Sequence, residues 1–324
     1  VPQEEPSPSQ VPAAADPKEP TIAKLRAGAE TARRVQELAR AAEAEDGDPP
    51  FSDQTLVELR SARQQVTVLG AAHPEGEHAP LVAAAVLVRP GDGSPALLEA
   101  VVAPEARGLG LGRGVIRQAL ETVDGPVDAW AHGDHAAARA LAASLGFTPA
   151  RELHRLLRPL AGVSRELPVR LPEGIGLRSF ETGQDESAWL EVNAAAFADH
   201  PEQGRMTLAD LQERQAEDWF DPRGFLIAHP LEDPRDIAGF HWTKIHPATA
   251  HDPARGEVHV VGVAPGYQGR GLGKALTVAG LHYLAEQGLG EVLLYVDGDN
   301  RPAMSLYRSI GFEPWHLDVM FSRR

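Results

Sequence analysis

The chain has 324 residues, with 31 Lys and Arg against 46 Asp and Glu, so its formal net charge is −15. That length suits about two domains at roughly 150 residues each, and an acidic field without an evident basic patch argues against nucleic-acid or membrane-surface partners. The absence of cysteine removes disulfide scaffolds, thiolate-bound zinc, iron–sulfur clusters and cysteine nucleophiles; the longest apolar run, Leu81 to Val88, is far short of the roughly 18 residues a membrane span needs, so a soluble cytoplasmic protein is expected.

Residues 1–20 carry six prolines and little to bury, the composition of a disordered tail. A helix is predicted over Thr21–Ala44, rich in Ala, Leu, Glu and Arg, and a second one from the N-cap candidate Ser52 to about Arg63. Strands follow at Gln65–Leu69, Leu81–Val88 and Leu97–Val102, the last running into APEARGLGLG and a helical stretch to Val123. A short strand at Val127–Ala131, a helix at Ala136–Leu145 and a strand near Glu152–Arg158 complete a first domain of residues 21–160, with 161–174 as a proline-punctuated linker.

Residues 175–324 repeat the order. Strands at Gly224–Ala228, Ile237–Lys244 and Glu257–Val263 lead into APGYQGRGLGKAL and a helix with Leu272, Ala275, Leu276 and Ala279 on one face. A strand at Glu291–Val296, a helix over Arg301–Ser309 and a strand near Leu317–Ser322 follow. VVAPEARGLGLG lies over GVAPGYQGRGLG at a separation of 161 residues, and SLGF over SIGF at 165, which marks a duplication of a whole domain.

Both copies hold a loop between strand and helix, Arg107-x-x-Gly110-x-Gly112 and Gln268-x-x-Gly271-x-Gly273. Glycines let the backbone turn tightly and approach a ligand, and the free N–H groups of a helix N-terminus face an anion that the helix dipole favours. The device predicts a bound pyrophosphate, although the spacing is neither that of a dinucleotide fold nor that of a nucleotide P-loop. The histidines form no metal-ligand spacing such as HExxH, so no metal is expected.

Strand, [Arg/Gln]-x-x-Gly-x-Gly, helix, strand, helix and a late Gly-Phe, twice over, resemble the acetyl-CoA-binding core of the GNAT acetyltransferases. The resemblance implies an α+β fold of two tandem domains, each a mixed, mostly antiparallel sheet flanked by helices, with acetyl-CoA as cosubstrate. It implies pantetheine contacts from Val261, Gly262 and Val263 and pyrophosphate contacts from Gln268, Gly269, Arg270, Gly271, Leu272, Gly273 and Lys274. Further coenzyme contacts would come from Asn300, Arg301, Pro302, Ala303, Met304 and Ser305. In the first domain the matching residues are Ala100, Val101 and Val102, then Gly108, Leu109, Gly110, Leu111, Gly112 and Arg113.

FADHPEQG (197–204), WFDP (219–222), GFHWTK (239–244), GEVHVVGV (256–263) and LLYVDGDN (293–300) resemble more narrowly the mycothiol synthase family, tandem GNAT enzymes of actinobacteria. That likeness implies acetylation of the cysteinyl amine of cysteinyl-glucosaminyl-inositol by a monomer acting on small molecules. Asp53, Glu202, Lys244, Glu257 and Tyr295 would contact the acceptor; at position 53 the chain has Asp where the longer Glu is expected.

An α-amino group with a reference pKa of about 7.7–8.0 must shed a proton before it attacks a thioester, and the coenzyme A thiolate must gain one as it leaves. Glu257, at the start of the strand before the loop, is the candidate base, and Tyr307 the acid by resemblance. Their counterparts at the two repeat offsets are Ala96 and Ala142, so the second domain is expected to be catalytic and the first only to bind coenzyme. From the residues alone, Glu257 as a solvated strand-end carboxylate, Tyr307 as a core aromatic and Asp53 as a first-turn helix acid stay open. So do two other functions: a tandem GNAT acting on a peptide N-terminus or an aminoglycoside, and a non-catalytic acetyl-CoA sensor.

Overall fold

The computed structural model describes residues 19–61, 65–73, 79–91, 93–198, 201–248 and 253–324, with Pro201 and Glu202 described by main chain alone. The tail expected over 1–20 lies almost wholly outside the described residues.

The first half runs β1 (Thr21–Leu25), α1 (Ala29–Asp46), α2 (Asp53–Ser61), β2 (Gln65–Ala72), β3 (Leu81–Arg89), β4 (Ala96–Val102), α3 (Leu111–Leu120), β5 (Val127–Ala131), α4 (Ala136–Ser144) and β6 (Thr148–Pro159). The second runs α5 (Val163–Glu166), β7 (Ile175–Ser179), α6 (Glu186–Ala196), α7 (Pro201–Gly204), α8 (Leu208–Gln215), β8 (Phe225–Pro230), β9 (Gly239–His246), β10 (Arg255–Val263), α9 (Leu272–Glu286), β11 (Glu291–Asp297), α10 (Arg301–Ser309) and β12 (Glu313–Arg323).

The chain divides into two compact units, but not at the expected 160 and 175. One takes the residues up to Ala150 together with Val319–Arg324, and the other takes Arg151–Asp318. In the first, β1 to β4 pair antiparallel in sequence order, β5 lies parallel to β4, and the end of β12 closes the sheet antiparallel to β5 through Val319↔Ala131 to Arg323↔Val127. In the second, β7 to β10 pair antiparallel in order, β11 lies parallel to β10, and β6 closes the sheet antiparallel to β11 through Leu153↔Asp297 to Pro159↔Glu291. The last strand of each repeat therefore completes the sheet of the other, an exchange that a linear repeat cannot reveal.

The helix predicted over Thr21–Ala44 is corrected at its start. Thr21–Leu25 is an edge strand along β2, and the helix begins at Ala29 after Gly28. Ile22 and Leu25 sit where a Cβ on Gly114 of α3 or on Gly70 of β2 would collide with them, so tertiary pairing overrides local helix propensity. The 161–174 stretch is not a bare linker either, because Leu160 and Val163 lie in the core of the second unit with Leu167 against them.

In the second unit, α9 and α10 cover one face of the sheet through Val278, Leu281, Leu284, Met304, Val292 and Leu294. On the other face Trp189 of α6 and Leu211 of α8 pack onto Phe225, Ile227, Phe240 and Trp242. Each such side chain gains roughly 1.5–3 kcal/mol from leaving water, and this aromatic layer holds the strands that present the site.

Candidate functional site

In both units the parallel strands pair over only three residues and then separate. β10 pairs with β11 from Gly256↔Val292 to Val258↔Leu294, and β4 with β5 from Ala96↔Val127 to Leu98↔Ala129. Beyond those points Val260–Val263 and Glu99–Val102 keep antiparallel partners on their other side, leaving one main-chain edge of each strand open toward the cleft. An extended amide-bearing arm can pair with such an edge, as the proposed pantetheine contacts require.

Each open strand ends in the glycine-rich loop. Gly269 and Gly271 have φ of +74° and +82°, Gly108 and Gly110 of +79° and +80°, and no atom lies within 4 Å of a Cβ built at any of the four. Only glycine takes that backbone without strain. The long side chain that opens each loop ties it to its strand: Gln268 Nε2 donates to the Val263 carbonyl at 3.2 Å and Arg107 Nε to the Val102 carbonyl at 3.4 Å. Gly271 and Gly110 are the N-caps of α9 and α3, whose first-turn N–H groups have no intrahelical partner and are of the kind that can face an anion. In the first unit the loop, the strand ends and α4 enclose a cavity of about 460 Å³ whose lining includes Val102, Gly110, Gly112 and Ala142. The first turn of α10 is fixed by Asn300, whose side chain accepts from the Ala303 N–H at 3.2 Å.

Glu257 faces Lys244 across β9 and β10 and is only 6% exposed. Its Oε2 accepts from His246 Nε2 at 2.5 Å and its Oε1 from His259 Nδ1 at 2.9 Å. Burial would raise this carboxyl, but the two imidazole hydrogen bonds outweigh burial and hold it well below the usual carboxylate range. It is therefore an anion at neutral pH, suited to an ammonium. A register shift between Val258 and Val260 makes His259 the extra residue of a bulge, and its ring packs edge-on against Trp219 and Trp242 at 5.2 and 5.4 Å. Lys244 Nζ lies 5.0 Å over the Trp219 ring. The solvated strand-end reading of Glu257 is excluded by its burial.

The bulge also adjusts the internal comparison. Ala96 pairs with Val127 as Gly256 pairs with Val292, so the position matching Glu257 is Leu97 rather than Ala96. It remains apolar. The buried acid of the first unit is instead Glu99, 1% exposed, which accepts from the Ser52 N–H at 3.1 Å and from His132 Nε2 at 3.0 Å and pins the entry to α2.

Tyr307 lies apart from this cluster on α10, its ring 5.7 Å from Phe312, and burial pushes its phenol up to about 12, so it stays protonated. Tyr295 is 45% exposed and pairs with Arg155 across β11 and β6. Asp53 is an exposed first-turn acid of α2 in the other unit, whose N-terminus is capped by Ser52 through the Thr55 N–H at 3.2 Å. The side chain of Glu202 lies outside the described residues. His246, His259 and Trp219 were not foreseen, although the i, i+2 spacing of Glu257 and His259 on a strand places both on one face.

The profile of the Acetyltransferase (GNAT) family matches residues 189–312. A mycothiol acetyltransferase of Kocuria rhizophila is 52% identical over 287 residues, covering 88% of this chain and 93% of its own length. The chain belongs to the mycothiol acetyltransferase family. The mycothiol acetyltransferase of Renibacterium salmoninarum is 48% identical over 324 residues, covering 98% and 95% of the two chains. A GCN5-related N-acetyltransferase of Sphaerobacter thermophilus has a TM-score of 0.67 at 25% identity over 93% of this chain and 95% of its own. A tandem GNAT protein of the clavulanic acid biosynthesis pathway has a TM-score of 0.67 at 20% identity over 94% and 98%, a likeness of fold. As a mycothiol acetyltransferase family member the protein is an acetyl-CoA-dependent N-acetyltransferase. Among the described residues no group of three or more His, Asp or Glu is placed to hold a metal ion, and no helix is long and apolar enough to cross a membrane.

Proposed function

We propose that the second unit acetylates the cysteinyl amine of cysteinyl-glucosaminyl-inositol, giving mycothiol, while the first unit binds acetyl-CoA without turning it over. The observation that carries this reading is the anionic, buried Glu257 beside the open edge of β10, with a protonated Tyr307 on α10; Leu97 and Ala142 stand at the matching positions of the first repeat.

In this reading the loop at Gln268–Lys274 holds the pyrophosphate on main-chain N–H groups, and the open edge of Val261–Val263 holds the pantetheine arm. Glu257 attracts the acceptor ammonium and takes part in removing its proton. A main-chain N–H near Val263 stabilises the negative charge that grows on the thioester oxygen. Tyr307 gives its proton to the departing sulfur. Lys244 and Tyr295 contact the sugar hydroxyls. The duplication puts two such folds in one chain, which supports action as a monomer.

The test is kcat/KM for acetyl-CoA with cysteinyl-glucosaminyl-inositol, a peptide N-terminus and an aminoglycoside, in wild type, Glu257→Gln and Tyr307→Phe. A preference for the cysteinyl acceptor is expected, with losses of about 10²-fold or more in both variants. An equal rate on all three amines would refute the acceptor, and two variants with wild-type kinetics would refute the roles.

A further inference from the structure

Glu257 is poorly placed to take a proton by itself. Both of its oxygens already accept imidazole N–H groups, it is buried, and it is held below the usual carboxylate range. A proton passed from an ammonium of pKa about 7.7–8.0 to an ordinary carboxylate near 4.3 returns at once, since the transfer is more than a thousandfold unfavourable. Transfer to a histidine falls within about thirtyfold of balance.

Because the carboxylate can only accept, the contacting nitrogens must donate, Nε2 of His246 and Nδ1 of His259. With its proton on Nδ1, the His259 ring has Nε2 as its other nitrogen, the one available as a lone-pair acceptor. This is the carboxylate–imidazole arrangement in which the acid fixes the tautomer and stabilises the imidazolium that forms. The bulge puts His259 in the chain between Glu257 and the open-edged Val260–Val263, and Trp219 and Trp242 hold its ring.

We propose that His259, oriented by Glu257, is the base that deprotonates the acceptor amine, while His246 holds the second carboxylate oxygen. The side chains of Glu257, His259 and His246 are 8%, 22% and 38% exposed, so the His259 ring is more accessible than the carboxylate it is bonded to. Nε2 of His259 takes one ammonium proton, and the nitrogen lone pair forms the C–N bond as the C–S bond breaks. The sulfur takes the Tyr307 proton, and the second proton lost by the nitrogen restores the phenol. The sum is ammonium plus acetyl-CoA giving amide, free thiol and one proton.

The other charged or titratable groups around the pair are Lys244, His246 and the buried His241 on β9, Arg255 on β10, Tyr295 on β11, and Glu217 and Asp218 beside Trp219. α6 turns Trp189 and Asn193 to the sheet, neither of which titrates.

The proposal rests on the acetyltransferase reading of this site and not on the acceptor's identity, so it is tested in two ways. In the full chain with ¹⁵N-labelled histidine, long-range ¹H–¹⁵N spectra should show neutral His259 with its proton on Nδ1, lost or exchanged for the other tautomer in Glu257→Gln. An Nε2–H tautomer in wild type would overturn the assignment whether or not any amine is turned over. With cysteinyl-glucosaminyl-inositol as acceptor, His259→Gln should lose about 10²-fold in kcat/KM while binding acetyl-CoA normally, and the acidic inflection of the pH profile should disappear. His259→Ala should regain activity with added imidazole. A loss that left the inflection in place, or a kcat/KM within threefold of wild type, would mean that His259 only packs.

Discussion

Gly271→Ala separates the ligand role of the loop from its structural cost. Gly271 has φ +82°, and a Cβ there would meet nothing within 4 Å, so the substitution brings no collision, only the strain of an L-residue in left-handed backbone. That strain is about 1–2 kcal/mol. Gly288, beyond the C-terminal end of α9, has φ +79° and equally open surroundings, so Gly288→Ala carries the same strain far from the anion site. Both variants should lose about 1–2 kcal/mol of stability, read as similar shifts of the urea midpoint. Only the loop variant should lose coenzyme affinity. If the strained loop relaxes toward negative φ, the N–H groups of Leu272–Lys274 turn away from the pyrophosphate, and restoring them on binding requires the same 1–2 kcal/mol. KM for acetyl-CoA should therefore rise about 5–30-fold with kcat little changed. Equal KM increases in the two variants would refute the assignment of the anion site to this loop, and so would a Gly271→Ala protein with wild-type KM.

Two further predictions concern the scaffold around the site. Gly280 lies inside α9 where a Cβ would collide with the His241 ring, whose Nδ1 donates to the Leu276 carbonyl at 2.8 Å. Overpacking and the strained buried hydrogen bond should outweigh the roughly 1 kcal/mol that alanine gains in a helix, so Gly280→Ala should destabilise by about 2 kcal/mol in urea unfolding. A neutral or stabilised variant would show that β9 and α9 part easily. Asp221 is hydrogen-bonded by Arg223 and by the Tyr283 hydroxyl at 2.7 Å, and these contacts, led by Arg223, lower its pKa to about 2 despite burial. A lowered folded-state pKa stabilises above the unfolded value near 3.9, and the stabilisation is lost as pH falls toward 2. Asp221→Asn should therefore cost about 1–2 kcal/mol at pH 7, discounted for the exposed Arg223. The gap to wild type should close between pH 4 and pH 2, and a gap constant over that range would contradict the ionic origin.

The repeated loop was legible because its chemistry is local: glycines at fixed spacing, a tying side chain and a helix start all fall within eight residues. The same locality made β2 to β5 and β8 to β11 readable from short apolar runs between turns. β1 hides within a helix-like composition because its partner lies in β2, and its five residues carry no signal of an edge strand on their own. α6 to α8 went unassigned, although Trp189 and Leu211 anchor them in the aromatic core. At the site, Glu257 and Lys244 were found by resemblance, and β9–β10 pairing places them opposite each other. The partnership of His246 depends on that cross-strand register and is invisible in the linear sequence, and His259 is one of thirteen histidines in an acidic chain, which dilute the meaning of any one. The bulge at Val258–Val260, which shifts the repeat alignment by one residue, leaves no mark in composition or periodicity.

The exchanged strands tie the second unit to the first repeat whether or not the first repeat does chemistry. β11 carries Tyr295 and bounds the cleft beside Glu257, and its outer edge is hydrogen-bonded along seven residues to β6, which follows α4 of the first repeat. An ion pair reinforces that edge, Arg151 Nε to Asp297 Oδ1 at 2.5 Å, and Arg155 Nη2 of β6 pairs with Asp318 Oδ1 of β12 at 3.2 Å. A chain cut at the apparent repeat boundary near 160 would leave β11 as an open edge and strand Asp297 and Asp318 without their arginines, while β5 would lose the β12 segment that pairs with it. An unpaired edge costs hydrogen bonds and invites association with other chains. The second unit therefore depends on the first repeat for a strand, whether or not that repeat ever holds coenzyme, and the fold of the first is required of any activity that the second carries.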